Sequence, residues 1–408
     1  MFFLRAADYA FRSLVRHQTR TLLTIGTVAL SVTVSIVANQ YAKAVLKIWE
    51  QASIDRGTAH AQFHMPGFFD DPDSIKFETT FQDNDEISSF LKADTQIEAF
   101  SRRLLLEGII SAHGKTVYFL GKAVDGPAEL KVSPALFTPS PKNGLFISEK
   151  SPEKIVLGRG LAESLDLNLG DEASLMLSTI HGAVNGLDVV IAGIIDLPIA
   201  MLSKRLLYMD LSAAQKAVEM PGRFNELAVR LQTGINPRTW VSQKTRPDLD
   251  LRGWWDIDKI IVKAQDLWDA VVRLVSFLLF ITAGLSVLNM ILMLVSEQTI
   301  EIGTLLALGA RERHIYTLVF CQASLIGFIG ALVGVLVANA AILSMDLIGI
   351  PFESPFGGGI FLVHPKIGIT TTVVAFLAGI AVASFASILP ARRAAKLEPV
   401  VAFRGQST

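Results

Sequence analysis

"VVRLVSFLLFITAGLSVLNMILMLV" (271–295), "EIGTLLALGARERHI" (301–315) and "YTLVFCQASLIGFIGALVGVLVANAAIL" (316–343) together decide the fold of this chain. Two apolar runs flank a short, charged segment punctuated by glycine. Crossing the hydrocarbon core of a bilayer takes about 20 apolar residues. Both runs meet that length. So do 21–42 (TLLTIGTVALSVTVSIVANQYA) and 367–389 (IGITTTVVAFLAGIAVASFASIL). Four such lengths with charged flanks are hard to hide in a soluble core. The expected fold class is an α-helical membrane protein with four transmembrane helices. A large α+β extracytoplasmic domain is expected between helices 1 and 2.

Composition points the same way. Of 408 residues, 51% are hydrophobic and only 18% charged, where soluble chains carry about a quarter. A net charge of −1 gives no basic field for nucleic acid. The single cysteine, Cys321, excludes a disulfide within the chain and a cysteine-based metal site. The first apolar run is too long for a cleavable signal's core and lacks a convincing cleavage site.

Lys and Arg in the short flanks set the expected orientation. Arg5, Arg12, Arg16 and Arg20 precede span 1, Arg311 and Arg313 lie between spans 2 and 3, and Arg392, Arg393, Lys396 and Arg404 follow span 4. The 346–366 loop carries only Lys366. Both termini are therefore expected in the cytoplasm, with residues 43–265 and 346–366 outside. The segments read as a cytoplasmic amphipathic stretch (1–20), span 1 with a stalk (21–56) and an extracytoplasmic domain (57–255). Then come a stalk with span 2 (256–296), a cytoplasmic helix (297–315), span 3 (316–345), an external loop (346–366), span 4 (367–389) and a cytoplasmic tail (390–408).

The insert reads as mixed α+β, with two lobes as one arrangement. "LLLEGIISAHGKTVYFLGKAVD" (104–125) predicts a hairpin around "AHGK", and 173–196 predicts two more strands around a Gly/Asn-rich turn. Residues 158–173 predict a short helix ended by Gly170-Asp171. Residues 212–220 predict another with Ser212 as N-cap, and "FNELAVRL" (224–231) predicts a strand. Its flanks look helical. From Asp256 to Glu297 is about 60 Å of helix at 1.5 Å per residue, twice the hydrocarbon thickness. That length predicts a stalk.

Enzymatic signatures are missing. "GIISAHGKT" (108–116) has five residues between Gly108 and Gly114, one too many for a P-loop, and it lies between strands. HExxH, CxxC and GxSxG do not occur. His60 and His64 are four apart in an extended stretch, so no metal site is expected. Asn39, Gln40, Asn289 and Asn339 are polar residues within spans, and the favoured reading is hydrogen bonding between helices. Gly327, Gly330, Gly334, Ala375, Gly379 and Ala383 are small residues at helical spacing, which permits close packing.

The 301–311 stretch is an amphipathic helix candidate. Leu305, Leu306 and Leu308 would form an apolar face, with Glu301, Arg311 and Glu312 as a charged rim. Such a face suits a partner's groove, and Gly303 and Gly309 would allow close backbone approach. The residues alone leave an ordinary tight loop equally open.

"EIGTLLALGARERHI" resembles the cytoplasmic segment of FtsX/MacB-type ABC transporter permeases, whose "REIGILRALGA"-like run docks on an ATPase. "LPARRAAKLEPVVAFR" (389–404) is similar to that family's ending, and "AFRSLVRHQTRTLLTIGTVALSV" (10–32) to its beginning. Here "SEQTIEIG" lacks the basic residue that often precedes the Glu-Ile-Gly. Within the insert, "RGTAHAQFHMPGFFDDP" (56–72) and "IVLGRGLAESLDLNLGDEASLML" (155–177) resemble the lipoprotein-releasing LolC/LolE-type permeases.

The resemblance implies a non-catalytic, multi-pass inner-membrane subunit that transmits motion mechanically. It implies no directly bound cofactor, ATP and Mg being held by a partner. The implied partners are a cytoplasmic ABC ATPase dimer, a second copy or a paralogous permease, and a lipoprotein or other hydrophobic cargo. A periplasmic chaperone is a further implied partner. About 20 residues precede span 1, so the ATPase is expected as a separate chain. The implied coupling residues are Glu297, Glu301, Ile302, Gly303, Leu305, Leu306, Leu308, Gly309, Ala310 and Arg311. Cargo would meet Asn39, Tyr41, Val45, Leu274, Phe277, Leu278 and Ile281. Three rivals remain: a MacB-like efflux permease with an adaptor and outer-membrane channel, an FtsX-like regulator of a cell-wall hydrolase, and a membrane-anchored enzyme.

Overall fold

The computed structural model describes residues 18–70, 79–82, 85–134, 153–195, 203–353 and 360–396. The 1–17 arm, Arg404 and the end of the "PARRAA…" motif lie outside them. In chain order, α1 (Gln18–Ser53) ends in a π-turn (Ile54–Thr58). Then follow β1 (Ala61–His64), β2 (Phe81–Gln82), α2 (Asp85–Ala93), β3 (Ile97–Ala112), β4 (Lys115–Val124), α3 (Gly126–Val132), β5 (Lys154–Gly158) and α4 (Arg159–Leu165). Next come β6 (Glu172–Ser178), β7 (Val184–Ile195), β8 (Leu206–Asp210), α5 (Leu211–Ala217), β9 (Arg223–Phe224), β10 (Glu226–Leu231), α6 (Pro237–Lys244), β11 (Asp250–Gly253) and α7 (Trp254–Ile257). The chain continues with α8 (Lys259–Glu297), α9 (Thr299–Ala307), α10 (Glu312–Ile348), β12 (Ile350–Glu353), β13 (Ile360–Val363), α11 (Ile369–Ala386) and α12 (Ile388–Ala395).

The chain divides into two compact units. One, the α+β unit, comprises Lys47–Lys263 and Phe352–Phe361. Its strands join in the order β11-β1-β10-β3-β4-β8-β5-β7-β6, and β6 also pairs with β3. Strand β3 makes this possible. Along one edge it pairs with β4 over residues 103–112. Its other edge is shared, with residues 97–103 taken by β10 and 108–111 by β6. Six strands thus close on themselves, and four remain an open sheet that shares β3. Closure needs Gly108, because a Cβ there would lie 2.3 Å from the Met176 carbonyl oxygen. The two lobes anticipated from sequence are two cores on one continuous sheet. Leu106, Phe119, Leu157 and Leu175 fill one, and Phe63, Leu227 and Trp240 the other.

The β3–β4 hairpin turns at His113 and Gly114, with φ of 52° and 75°. Two left-handed residues define a type I′ turn, matched to strand twist. Gly114-Lys115 is turn chemistry, as the "AHGK" reading expects. Two local expectations are corrected. Helix α4 ends at Leu165, because Asp166 adopts a left-handed C-cap well before Gly170. Helix α5 is capped by Asp210, not Ser212: the Asp210 carboxylate accepts from the Ala213 amide at 3.0 Å. Carboxylate and hydroxyl are both capping groups, so two neighbours competed and sequence did not rank them. The Ser212 hydroxyl instead donates to Asp210 at 2.5 Å.

The second unit takes in Met1–Leu46, Ala264–Pro351 and Leu362–Thr408. Among the described residues four helices are long and apolar enough to cross a membrane. Their packing uses the small residues singled out from sequence. A Cβ on Gly330 would lie 2.8 Å from Val28 Cβ, one on Gly334 2.7 Å from the Ala29 oxygen, and one on Gly327 2.6 Å from Ala383 Cβ. Helix α1 therefore lies against α10 at backbone distance, and α10 against α11. Hydroxyls join α1 to α8: Thr27 to Ser286, Ser31 to the Leu279 oxygen, and Ser35 to Ser276, each at 3.0 Å. The i, i+4 spacing of Thr27, Ser31 and Ser35 was a readable signal for this seam, and the sequence reading missed it.

Candidate functional site

The opening charged segment is the helix α9 and the turn after it. It spans Thr299–Ala307, so the 301–311 helix expected from sequence starts earlier and stops sooner. The stop is a glycine cap. Gly309 has φ 88°, its amide donates to the Leu306 oxygen at 3.0 Å, and the Ala310 amide donates to the Leu305 oxygen at 2.9 Å. These are the two bonds of a Schellman motif, which needs a left-handed residue. Nothing lies within 4 Å of a Cβ built on Gly309. Within this chain, then, the glycine is needed for the turn and not for lack of space.

The predicted coupling residues separate into two groups. Ile302 and Gly303 are buried, and Leu306 packs against the same cluster, which includes Leu294, Ile315, Ala391 and Ala394. These hold α9 onto the helical unit, Ile302 and Gly303 buried and Leu306 half-buried. Glu301, Leu305, Leu308 and Arg311 are exposed, and Ala310 is half-exposed. Leu308 is the extreme, at 81%. An apolar side chain this open, beside a capped helix end, is a candidate contact point. Helix α12 completes the base. Its Ala391, Ala394 and Ala395 are buried in the cluster that holds Ile302, while Arg392 and Arg393 are exposed. The sequence carried this "PARRAA" motif without revealing that its alanines support the coupling helix.

Glu297 pairs with Arg20 of α1 at 2.5 Å and has a further interaction besides, with about a third of its side chain exposed.

The predicted cargo residues also divide. Val45 is 1% exposed and presents no open surface. Asn39 accepts from the Thr371 hydroxyl at 3.3 Å and acts as a link between helices. Tyr41 is half-buried. Leu274, Phe277, Leu278 and Ile281 are exposed, at 58%, 62%, 53% and 42%. Phe277 and Ile281 line a groove of 370 Å³ between α8 and α11, with Gly284, Leu288, Val382 and Phe385.

Helix α8 is continuous from Lys259 to Glu297. The stalk expected from Asp256 starts three residues later, because Asp258 leaves helical geometry at φ −93°, ψ 65°. Among the described residues, no cluster of three or more His, Cys, Asp or Glu is arranged for a metal. The His60 Nδ1 instead accepts from the Leu231 amide at 3.2 Å, and His64 contacts the Asn225 oxygen and Gln62.

The described residues thus combine four helices long and apolar enough to cross a membrane, a capped, exposed helix between two of them and a separate α+β unit. Residues 273–399 match the family model described as FtsX-like permease C-terminal. The match includes α9 and its cap. The chain is 33% identical over 150 residues to the macrolide export ATP-binding/permease protein MacB of Bradyrhizobium diazoefficiens, covering 36% of this chain and 21% of that one. It is 30% identical over 184 residues to the same-named protein of Agrobacterium fabrum, covering 43% and 27%. The chain thus spans about a quarter of the length of these relatives. The periplasmic region of MacB from Actinobacillus actinomycetemcomitans aligns with 53% of this chain and 97% of its own, at 15% identity and a TM-score of 0.36. The chain is thus similar in sequence to permeases of the FtsX/MacB type, and it carries four helices long and apolar enough to cross a membrane.

Proposed function

We propose that this chain is the non-catalytic membrane subunit of an ABC transporter, docked through α9 onto a cytoplasmic ATPase dimer that holds ATP and Mg. The observation that carries this reading is the exposure of Leu308 at a glycine-capped helix end, inside the FtsX-like match. Leu305 and Leu308 enter the partner's groove, with Glu301 and Arg311 at its rim. Ile302, Gly303 and Leu306 hold the helix from behind. Both termini and α9 lie in the cytoplasm, and the α+β unit lies outside.

The chain works with a second copy or a paralogous permease. Hydrolysis draws the two together, and the continuous α1 and α8 carry the displacement outward, as stiff helices can and flexible linkers cannot. The cargo is a lipoprotein or another hydrophobic molecule of the outer leaflet, entering along Leu274, Phe277, Leu278 and Ile281 and passing to a periplasmic chaperone. One observation favours a second reading, drug efflux with an adaptor: the matched relatives are named for macrolide export.

Replacing Leu308 with Asp tests the docking. Loss of an interface anchor costs about 2 kcal/mol or more, so the variant is expected to lose co-purification with the ATPase while remaining folded in the membrane. Undiminished binding by Leu308→Asp removes α9 as the docking element.

A further inference from the structure

We propose that the groove between α8 and α11 holds one anionic glycerophospholipid, with an acyl chain in the groove and its phosphate on Arg392 and Arg393 of α12. The site lies within the helical unit. It rests on that unit spanning a membrane and owes nothing to the ATPase docking.

The groove has a volume of 370 Å³ and is lined by Phe277, Gly284, Leu285, Leu288, Val382 and Phe385, among others. Every described residue that lines it is apolar. The helices meet closely at Gly284, where a Cβ would lie 3.0 Å from Val382 Cγ1. Phe277 and Leu288 are eleven positions apart on α8, about 16 Å along the axis. Half the hydrocarbon core is about 15 Å. The groove therefore runs the depth of one leaflet, which is the reach of one acyl chain.

The face beneath it is the second observation. Helix α11 passes into α12 through Ser387 alone, which keeps right-handed helical geometry at φ −79°, ψ −14°. Phe385, Leu389, Arg392, Arg393 and Lys396 recur at intervals of three and four, so they share one face of this stretch. All five are exposed, while Ser387, Ala391 and Ala394 are buried. The open face thus turns from apolar to basic within two turns. In a membrane that change marks the passage from hydrocarbon to headgroups. Arg393 lies eight residues past Phe385, about 12 Å along the axis. A chain lying against Phe385 brings its phosphate to the guanidiniums.

These cations have no counter-charge of their own. Among the described residues, no ion pair or side-chain hydrogen bond engages Arg392, Arg393 or Lys396. Glu297, the one acid between residues 270 and 300 of α8 and its end, pairs with Arg20 of α1, and α11 carries no acid. Neighbouring guanidiniums suit a phosphate, whose oxygens accept from the planar fork in pairs. The unbalanced charge then ranks headgroups. An anionic headgroup supplies the missing negative charge. Phosphatidylethanolamine and phosphatidylcholine bring an ammonium that already balances their phosphate. The occupant is a lipid, because the basic face continues the apolar one without a break.

The intact chain, purified in mild detergent, is incubated with equimolar phosphatidylglycerol, phosphatidylethanolamine and phosphatidylcholine and examined by native mass spectrometry. Resistance of the membrane-bound chain to carbonate washing checks the spans independently of lipid choice. One phosphatidylglycerol per chain is expected, retained at least several-fold over the other two. Replacing Arg392 and Arg393 together with Gln is expected to leave the three lipids comparably retained. Replacing Arg311 and Arg313 together with Gln removes the same charge around the start of α10 and is expected to keep the preference. Phe385→Ala is expected to lower retention of all three with phosphatidylglycerol still first. Circular dichroism confirms helical content, and Lys396→Gln, expected to weaken the preference in part, is the second variant should the Arg392 and Arg393 pair not fold. Equal retention of the three lipids by the wild-type chain overturns the proposal. So does equal loss of preference in the two double variants, which reduces it to general charge attraction. Conversion of a dimer to monomer by Phe385→Ala with unaltered lipid retention overturns it and assigns the face to a second copy. Loss of ATPase co-purification by the Arg392 and Arg393 variant with lipid preference intact overturns it and assigns the cations to the ATPase.

Discussion

Arg103 and Glu129 form a two-pronged ion pair, at 2.9 and 2.6 Å, with both side chains sealed from solvent. The same guanidinium also pairs with Glu226 and donates to the Ser133 hydroxyl at 3.0 Å. Its remaining contact is the Gly57 oxygen, at 2.5 Å, in the π-turn that ends α1. One buried charge thus ties β3, β10 and α3 to the point where α1 enters the sheet. Burial pushes the Glu226 pKa up, but the Lys122 charge first and then Arg103 hold it well below the usual carboxylate range.

Removing Arg103 should therefore be severe. Arg103→Met leaves Glu129 without its counter-charge and Glu226 with Lys122 alone, and breaking a buried pair from one side costs about 3–5 kcal/mol. Glu129→Gln keeps a hydrogen-bonding group and should cost less. Chemical denaturation of the intact protein, followed by the fluorescence of Trp240 and Trp254 near this sheet, measures both. Equal stability of Arg103→Met and wild type would falsify the account.

His60 should make stability depend on pH. Burial first, then the nearby Arg230 charge, push its pKa from 6.5 down to about 4. The Leu231 amide donates to its Nδ1, which is possible only when that nitrogen is unprotonated. The unfolded chain then binds more protons between pH 6.5 and 4, so this contribution is present above 6.5 and lost as pH falls toward 4. His60→Asn keeps an acceptor but does not titrate. The difference in melting temperature between wild type and variant should change across pH 6.5 to 4, and a constant difference would rule out His60 as the cause.

Gly309 should resist substitution for a backbone reason. At φ 88° a β-branched residue is strained, by about 1–3 kcal/mol. Gly309→Val should fray α9 and weaken ATPase binding partly, while Gly309→Asn, which tolerates the left-handed region, should retain most of it. Hydrogen exchange over 299–310 reads the fraying directly. Equal protection in both variants would show that the cap is dispensable.

Val271 lies in the middle of α8, exposed and far from either end. Proline there removes a backbone donor and clashes one turn back, at about 3 kcal/mol or more. Val271→Pro should abolish cargo-stimulated ATP hydrolysis while leaving the complex assembled. Normal stimulation in the variant would remove α8 as the transmitting element.

Much of this protein was legible along the chain. Four apolar lengths, the β3–β4 hairpin and the small-residue stripes depend on composition and local spacing, which one strand of sequence carries. The existence of a helix near 301 was legible too, but the glycine cap that ends it before 311 was not. Helix limits were less legible: at α5, Asp210 and Ser212 are both capping residues, and local sequence does not rank them. The division of the site was invisible for a stronger reason. Ile302 and Leu308 are alike in type and lie six residues apart, yet one is buried and the other open. What separates them is the alanine face of α12, some 90 residues later in the chain. Arg20 and Glu297 lie 277 positions apart, and β3 likewise joins strands, β6 and β10, from later parts of the chain. Sequence periodicity determines which face of an element is apolar. Only the tertiary structure decides which distant surface covers it, because burial is a property of contacts that no local pattern records.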